Sequence, residues 1–418
     1  MAETIIDTSY PSFRKTTLPG GVRVLSESIP SVRSISVGVW IFTGSRDERE
    51  EESGISHFIE HMVFKGTARR RMHHIAQRME AVGGYLNAFT SKEYTCFYAR
   101  SLDEHLGRAI DTVCDLVLSP SFPEKDLAKE KDVVLEEMKM YEDTPEDLIF
   151  DRFEGAIYDA HEMGRPIIGT PASVRAFTRD QLVDYLERHY TPDRIVVAVA
   201  GNVDHDRVVR LAARAFEGTG RTPRRADRNP VNGYAPAEIV ERRPIQQAHL
   251  VLGTRSSSVY DADRVPLTVL NTILGGGMSS RLNQNIRERY GYCYNIYSFL
   301  NLHSDTGDFG VYMGTDPAKV DRARKLILRE LERLVDRPVG ERVLSQAKNQ
   351  VKGSIMLGLE SMSNRMMRIG RQELYYQRYV TLDEVTDEID RVTVDDVRRV
   401  AEGLFVPDQF STVVLLPQ

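Results

Sequence analysis

Two histidines four residues apart, His57 and His61, flank a glutamate, Glu60, that immediately precedes the second of them. On a helix, positions four apart share a face, so both imidazoles can bite a single ion. Zinc suits two imidazoles plus a carboxylate and keeps a fourth position for water, whose pKa then falls to about 7. Glu60 lies beside that position without being needed as a ligand, which makes it a candidate general base. With ten histidines in 418 residues, chance supplies this pattern only ~0.02 times per chain of this size. The bland alternative is a helix with two unconnected histidines.

The flanks decide between them. Gly54-Ile55-Ser56-His57-Phe58-Ile59-Glu60-His61-Met62-Val63-Phe64-Lys65-Gly66-Thr67 resembles the signature of the pitrilysin/insulinase family of zinc metallopeptidases, the inverzincins. The stretch closely resembles the short form of that family, the catalytic subunit of the mitochondrial processing peptidase and its bacterial relatives. Gly83-Gly84-Tyr85-Leu86-Asn87-Ala88-Phe89-Thr90 is similar to the family's substrate-edge strand, which implies substrate contacts at Asn87, Ala88 and Phe89.

The resemblance implies a third metal ligand about 76 residues beyond the second histidine, which falls on Glu137. Its neighbour Glu136 competes, because adjacent helical residues point about 100° apart and only one can face the ion. The family's supporting glutamate, seven residues earlier, falls on Glu130. In Arg287-Glu288-Arg289-Tyr290-Gly291-Tyr292-Cys293-Tyr294 the resemblance places an arginine and a tyrosine that act from the second half of the chain, Arg287 and Tyr294. Such an arginine can hold a substrate carbonyl, and the hydroxyl can stabilise developing negative charge. Tyr292 is the local competitor.

These residues need elements to hold them. Arg33–Thr43 reads as a strand, Ser53–Phe64 and Met72–Val82 as helices, and Tyr85–Arg100 as two strands turning at Thr90-Ser91-Lys92-Glu93. Long amphipathic helices follow over Leu102–Leu118 and Glu124–Tyr141. Strands interleaved with long helices, without regular βαβ alternation, predict an α+β fold with helices covering one face of a sheet.

The chain also reads as a duplication. Gly218–Pro236 is rich in Gly and Pro and divides it nearly in half. Each half ends alike: Thr178 precedes Pro192-Asp193, and Thr393 precedes Pro407-Asp408, at equal spacing and each before an apolar run. The expected domains are therefore 1–217, a linker over 218–236, and 237–418, two similar domains closing as a clamshell. Aligning the halves sets Ala347 opposite Glu130 and Ser354 opposite Glu137, so the metal chemistry belongs to the first.

Bulk properties limit the remaining classes. A net charge of −6, with no basic block, argues against a nucleic-acid partner. Cys96, Cys114 and Cys293 match no metal or redox spacing, and an odd count builds no disulfide framework. The first ten residues lack a signal-peptide pattern and no apolar run spans a bilayer, so a soluble cytoplasmic protein without a membrane partner is expected. The acidic run Glu142–Asp147 is either a solvated surface or an attractor of basic substrate residues.

The expected activity is that of a zinc-dependent endopeptidase on extended or unfolded polypeptide, with water on zinc activated by Glu60. The family implies a homodimer, or a heterodimer with a related subunit. A non-catalytic partner subunit would have lost a histidine or Glu60, and a bare metal scaffold would bind zinc without turnover.

Overall fold

The computed structural model describes residues 12–218 and 228–418, and these build two sheets. The first contains β1 (Phe13–Thr17), β2 (Arg23–Ser28), β3 (Ser34–Ile41), β4 (Tyr85–Thr90), β5 (Thr95–Leu102) and β6 (Ile195–Gly201). The second contains β7 (Glu238–Arg243), β8 (Ala248–Ser256), β9 (Cys293–Leu302), β10 (Gly307–Thr315) and β11 (Ser411–Pro417). Their orders are β1-β2-β6-β3-β5-β4 and β7-β11-β8-β10-β9.

The duplication is visible in the pairings. β2 runs parallel to β6 as β7 does to β11, and every other neighbour is antiparallel. β1 is an addition of the first half. Helices Glu124–Asp143 and Glu341–Gly358 start at the offset that sets Glu137 against Ser354. Thr178 and Thr393 cap helices Arg179–His189 and Val394–Leu404, each hydroxyl accepting from the backbone N–H three residues on.

The helices cover both faces of each sheet, not one face as expected. Alternate residues of β6 show the division: Ile195, Val197 and Val199 join the helices of the first half, while Val196, Ala198 and Ala200 join Trp40 on the opposite face. That opposite face is covered by helix Met362–Tyr376, which comes from the second half of the sequence. The second sheet mirrors this. Leu250 and Leu252 face their own helices, while Val251, Tyr312, Val413 and Leu415 pack against Pro145–Tyr158 from the first half.

The compact units are therefore not contiguous. One takes the chain to Met138, then Arg165–Arg228 and Gly358–Tyr379; the other takes Lys139–Gly164, Asn229–Leu357 and Val380–Gln418. A cut at the linker separates sequence halves, whereas packing trades one helix between them. Part of that linker, 219–227, lies outside the described residues. Arg228, inside the linker, pairs with Asp47 and Glu93 at 2.9 and 3.0 Å.

The traded helix sits unusually close to the first sheet. A Cβ on Gly370 would lie 2.4 Å from the ring of Trp40, the chain's single tryptophan, and one on Gly38 would lie 2.4 Å from Met366 Sδ. In an open helix Gly→Ala gains about 1 kcal/mol of propensity. Gly370→Ala should instead lower stability by roughly 1–3 kcal/mol, the cost of overpacking, because the buried ring cannot yield. Thermal unfolding and Trp40 emission check this, with Gly353→Ala as the control, since nothing lies within 4 Å of a Cβ there. A raised melting temperature for Gly370→Ala would contradict the packing described.

Candidate metal centre

The helix Ile55–Val63 is apolar on one side, where Ile55, Phe58, Ile59 and Met62 are buried in the first core. That spacing leaves His57, Glu60 and His61 on the other side, each half-buried. The helix begins at Gly54, whose φ of +91° and contact distance of 2.6 Å from a Cβ to the Ile168 carbonyl oxygen exclude other residues. Glycine brings no side-chain cap. Glu48 supplies one from six residues upstream, accepting from Gly54 N at 2.7 Å and Ser56 N at 2.9 Å. Burial pushes the Glu48 carboxyl up to about 8 while these backbone N–H groups pull it down.

Helix Glu124–Asp143 brings the acidic partners. Ligand atoms of His57, His61 and Glu137 all lie within 4.8 Å of one another, the one such group of three among the described residues. Glu137 Oε1 is 3.8 Å from His57 Nε2, and Glu137 Oε2 is 3.4 Å from His61 Nε2. Ligands at ~2.0–2.1 Å from a tetrahedral ion stand ~3.3 Å apart, so the donor set fits zinc with little movement. Glu136 is exposed and outside that group.

Electrostatics act differently on the two imidazoles. Burial, helped by the nearby His61, pulls His57 down to about 3, which keeps its imidazole neutral. Burial also lowers His61, but the hydrogen bond to Glu130 and the charges of Glu137, Glu130 and Glu60 outweigh it and raise the pKa. Glu130 Oε1 lies 2.9 Å from His61 Nδ1. That contact orients the ring with Nε2 toward Glu137.

Glu60 stands apart from the ligand group. Its Oε2 accepts from Thr90 Oγ1 at 2.7 Å, and burial raises its pKa against the pull of that hydroxyl. Thr90 ends β4, the strand carrying Asn87, Ala88 and Phe89. Among the described residues β4 lies at the edge of its sheet, paired with β5 alone. A hollow of about 230 Å³ opens beside it, lined by Phe64, Met72, Ile75, Met79, Tyr85 and Leu86 among others.

Arg287 and Tyr294 lie in the second unit, next to each other. The Arg287 guanidinium carbon is 5.7 Å from the Tyr294 ring centroid, and Tyr294 is 82% exposed on edge strand β9. Tyr292 instead packs against the second core. Within the acidic run, Glu142 is held by Arg152 at 3.2 Å and Arg243 at 2.6 Å. Glu48, Lys65 and Thr90 were not among the expected site residues. Thr90 directly follows Phe89 and Lys65 lies four past His61, so spacing alone pointed to both.

Comparison with known proteins agrees with this layout. Residues 23–171 match the family described as Insulinase (Peptidase family M16), and residues 176–351 match the one described as Peptidase M16 inactive domain. A Mycobacterium leprae protein described as an uncharacterized zinc protease is 44% identical over 96% of this chain and 91% of its own. One from Bacillus subtilis, described likewise, is 40% identical over 94% and 96%. The crystal structure of a protease from Helicobacter pylori superposes with a TM-score of 0.91 at 24% identity, covering 98% of this chain and all of that one, which establishes the shared fold. No helix among the described residues is long and apolar enough to cross a membrane.

Proposed function

The chain belongs to the insulinase family, peptidase family M16, and from that premise we propose that it is a zinc-dependent endopeptidase acting on extended or unfolded polypeptide. The observation that carries this reading is the convergence of His57, His61 and Glu137 within 4.8 Å, with Glu60 on the same helix as the histidines. These three residues would hold the ion. Zinc, when bound, polarises a substrate carbonyl and makes water more acidic. Glu60 takes the proton and passes it to the leaving amine. Thr90 holds the Glu60 carboxylate, and Glu130 holds the His61 ring.

The open edge of β4 supports a preference for extended chains. A substrate strand can add there through main-chain hydrogen bonds along Asn87, Ala88 and Phe89. The apolar hollow beside it suits a bulky apolar side chain. Arg287 and Tyr294 are proposed to contact the substrate carbonyl and stabilise the charge that develops on it. The second half keeps the fold with Ala347 and Ser354 where the first has Glu130 and Glu137, which supports a single metal site per chain. Processing-peptidase-like pairing, with a second copy or a related subunit, belongs to the same proposal, as does a cytoplasmic location.

The test is digestion of an unfolded protein by the purified zinc-loaded chain, with the products read by mass spectrometry. Internal cleavages are expected, and Tyr294→Phe should slow them on the order of 10²–10³-fold, as for other lost oxyanion donors. Tyr292→Phe should leave the rate near normal. If only Tyr292→Phe loses activity, the assignment within this segment is off by two residues. If neither matters, the second unit takes no part in chemistry. No cleavage by the wild-type chain would overturn the endopeptidase reading.

A further inference from the structure

His57, His61 and Lys65 follow one another at four-residue intervals along helix Ile55–Val63 and just past its end. Glu130 and Glu137 lie two turns apart on helix Glu124–Asp143. The two rows interlock as an alternating ladder. His57 Nε2 and His61 Nε2 face Glu137 at 3.8 and 3.4 Å, and His61 Nδ1 faces Glu130 Oε1 at 2.9 Å. The last rung is Lys65 Nζ, 2.6 Å from Glu130 Oε2.

That last rung has a consequence for the ligand. The Glu130 side chain is 5% exposed, so each oxygen needs a partner inside the protein. His61 engages one and Lys65 the other. Without the ammonium, Oε2 would be left buried and unpaired, and the carboxylate would rotate toward water. Nδ1 of His61 would then lose the fixed acceptor that keeps Nε2 aimed at Glu137.

We propose that Lys65 is a positioning residue: by holding one oxygen of Glu130, it presents the other to His61 and so orients a metal ligand it does not touch. This rests on the reading of His61 as a zinc ligand. The predicted effect is on zinc affinity, which is read separately from any change in the metal-free fold.

The experiment measures the zinc dissociation constant by competition with a chromophoric chelator. It compares the wild-type chain, Lys65→Met, Lys65→Arg, Glu130→Gln and the Lys65→Met/Glu130→Gln double variant. Metal-free melting temperatures are recorded for each. Lys65→Met should weaken zinc binding 10–100-fold, the range for lost outer partners of a ligand, whatever the shift in metal-free melting temperature. Lys65→Arg should restore most of it. The double variant should bind zinc no more weakly than Glu130→Gln alone, because both act through one chain of contacts.

Wild-type affinity in Lys65→Met, or losses that multiply in the double variant, would overturn the proposal while leaving the metal site standing. A wild-type chain that binds no zinc would overturn both. Should Lys65→Met fail to fold, Lys65→Gln reads the same loss of charge with a polar side chain.

Discussion

Glu60→Gln should leave zinc at one ion per chain and reduce peptide cleavage by about 10²–10⁴-fold, the range for a lost general base. The amide keeps the shape of the carboxylate and can still accept from Thr90 Oγ1, which donates to Glu60 Oε2 at 2.7 Å. The helix is held by its buried face and by Glu48, neither of which the exchange touches. Only the capacity to take a proton is lost. Metal analysis and cleavage of a quenched peptide on the same sample separate the outcomes. Loss of zinc would make Glu60 a ligand, and normal turnover would remove it from the mechanism.

His57→Ala and His61→Ala act on the ion itself. Each removes one of three donors whose atoms lie within 4.8 Å, leaving a site with two. The fall in affinity should exceed the 10–100-fold loss caused by an outer partner, so purified protein should carry zinc near background and cleave nothing measurable. Folding should survive, because both imidazoles are partly exposed and lie outside the apolar core. Stoichiometric zinc in either variant would mean that the ion sits elsewhere.

What the sequence disclosed follows from the range of the forces involved. The metal helix, the β4–β5 hairpin and the capped helices after Thr178 and Thr393 depend on local spacing, and local spacing is visible in a single chain. The exchange of helices is different. An apolar stripe on Pro145–Tyr158 or Met362–Tyr376 says that the helix packs, without saying on which sheet. One sign was nevertheless present. Ile195–Ala200 is apolar without alternation, the pattern of a strand buried on both faces, and a one-sided helical layer cannot satisfy it.

The site divides in the same way. His57 and His61 are joined by helical spacing alone, whereas Glu137 needed the family's longer spacing to be preferred over Glu136. Glu48 carried no signal, because a cap supplied from six residues upstream to a glycine N-cap is a tertiary contact. The acidic run after Glu137 could be read either way from sequence, and its pairing of Glu142 with Arg152 and Arg243 is a tertiary contact that spacing does not show.

The most direct test is a titration of chelator-stripped protein with zinc, following cleavage of a quenched peptide as the metal is added. The account predicts no cleavage at the start, a rise in proportion to zinc bound, and a plateau at one ion per chain. Full cleavage by the stripped protein, or none after one equivalent has bound, would contradict it.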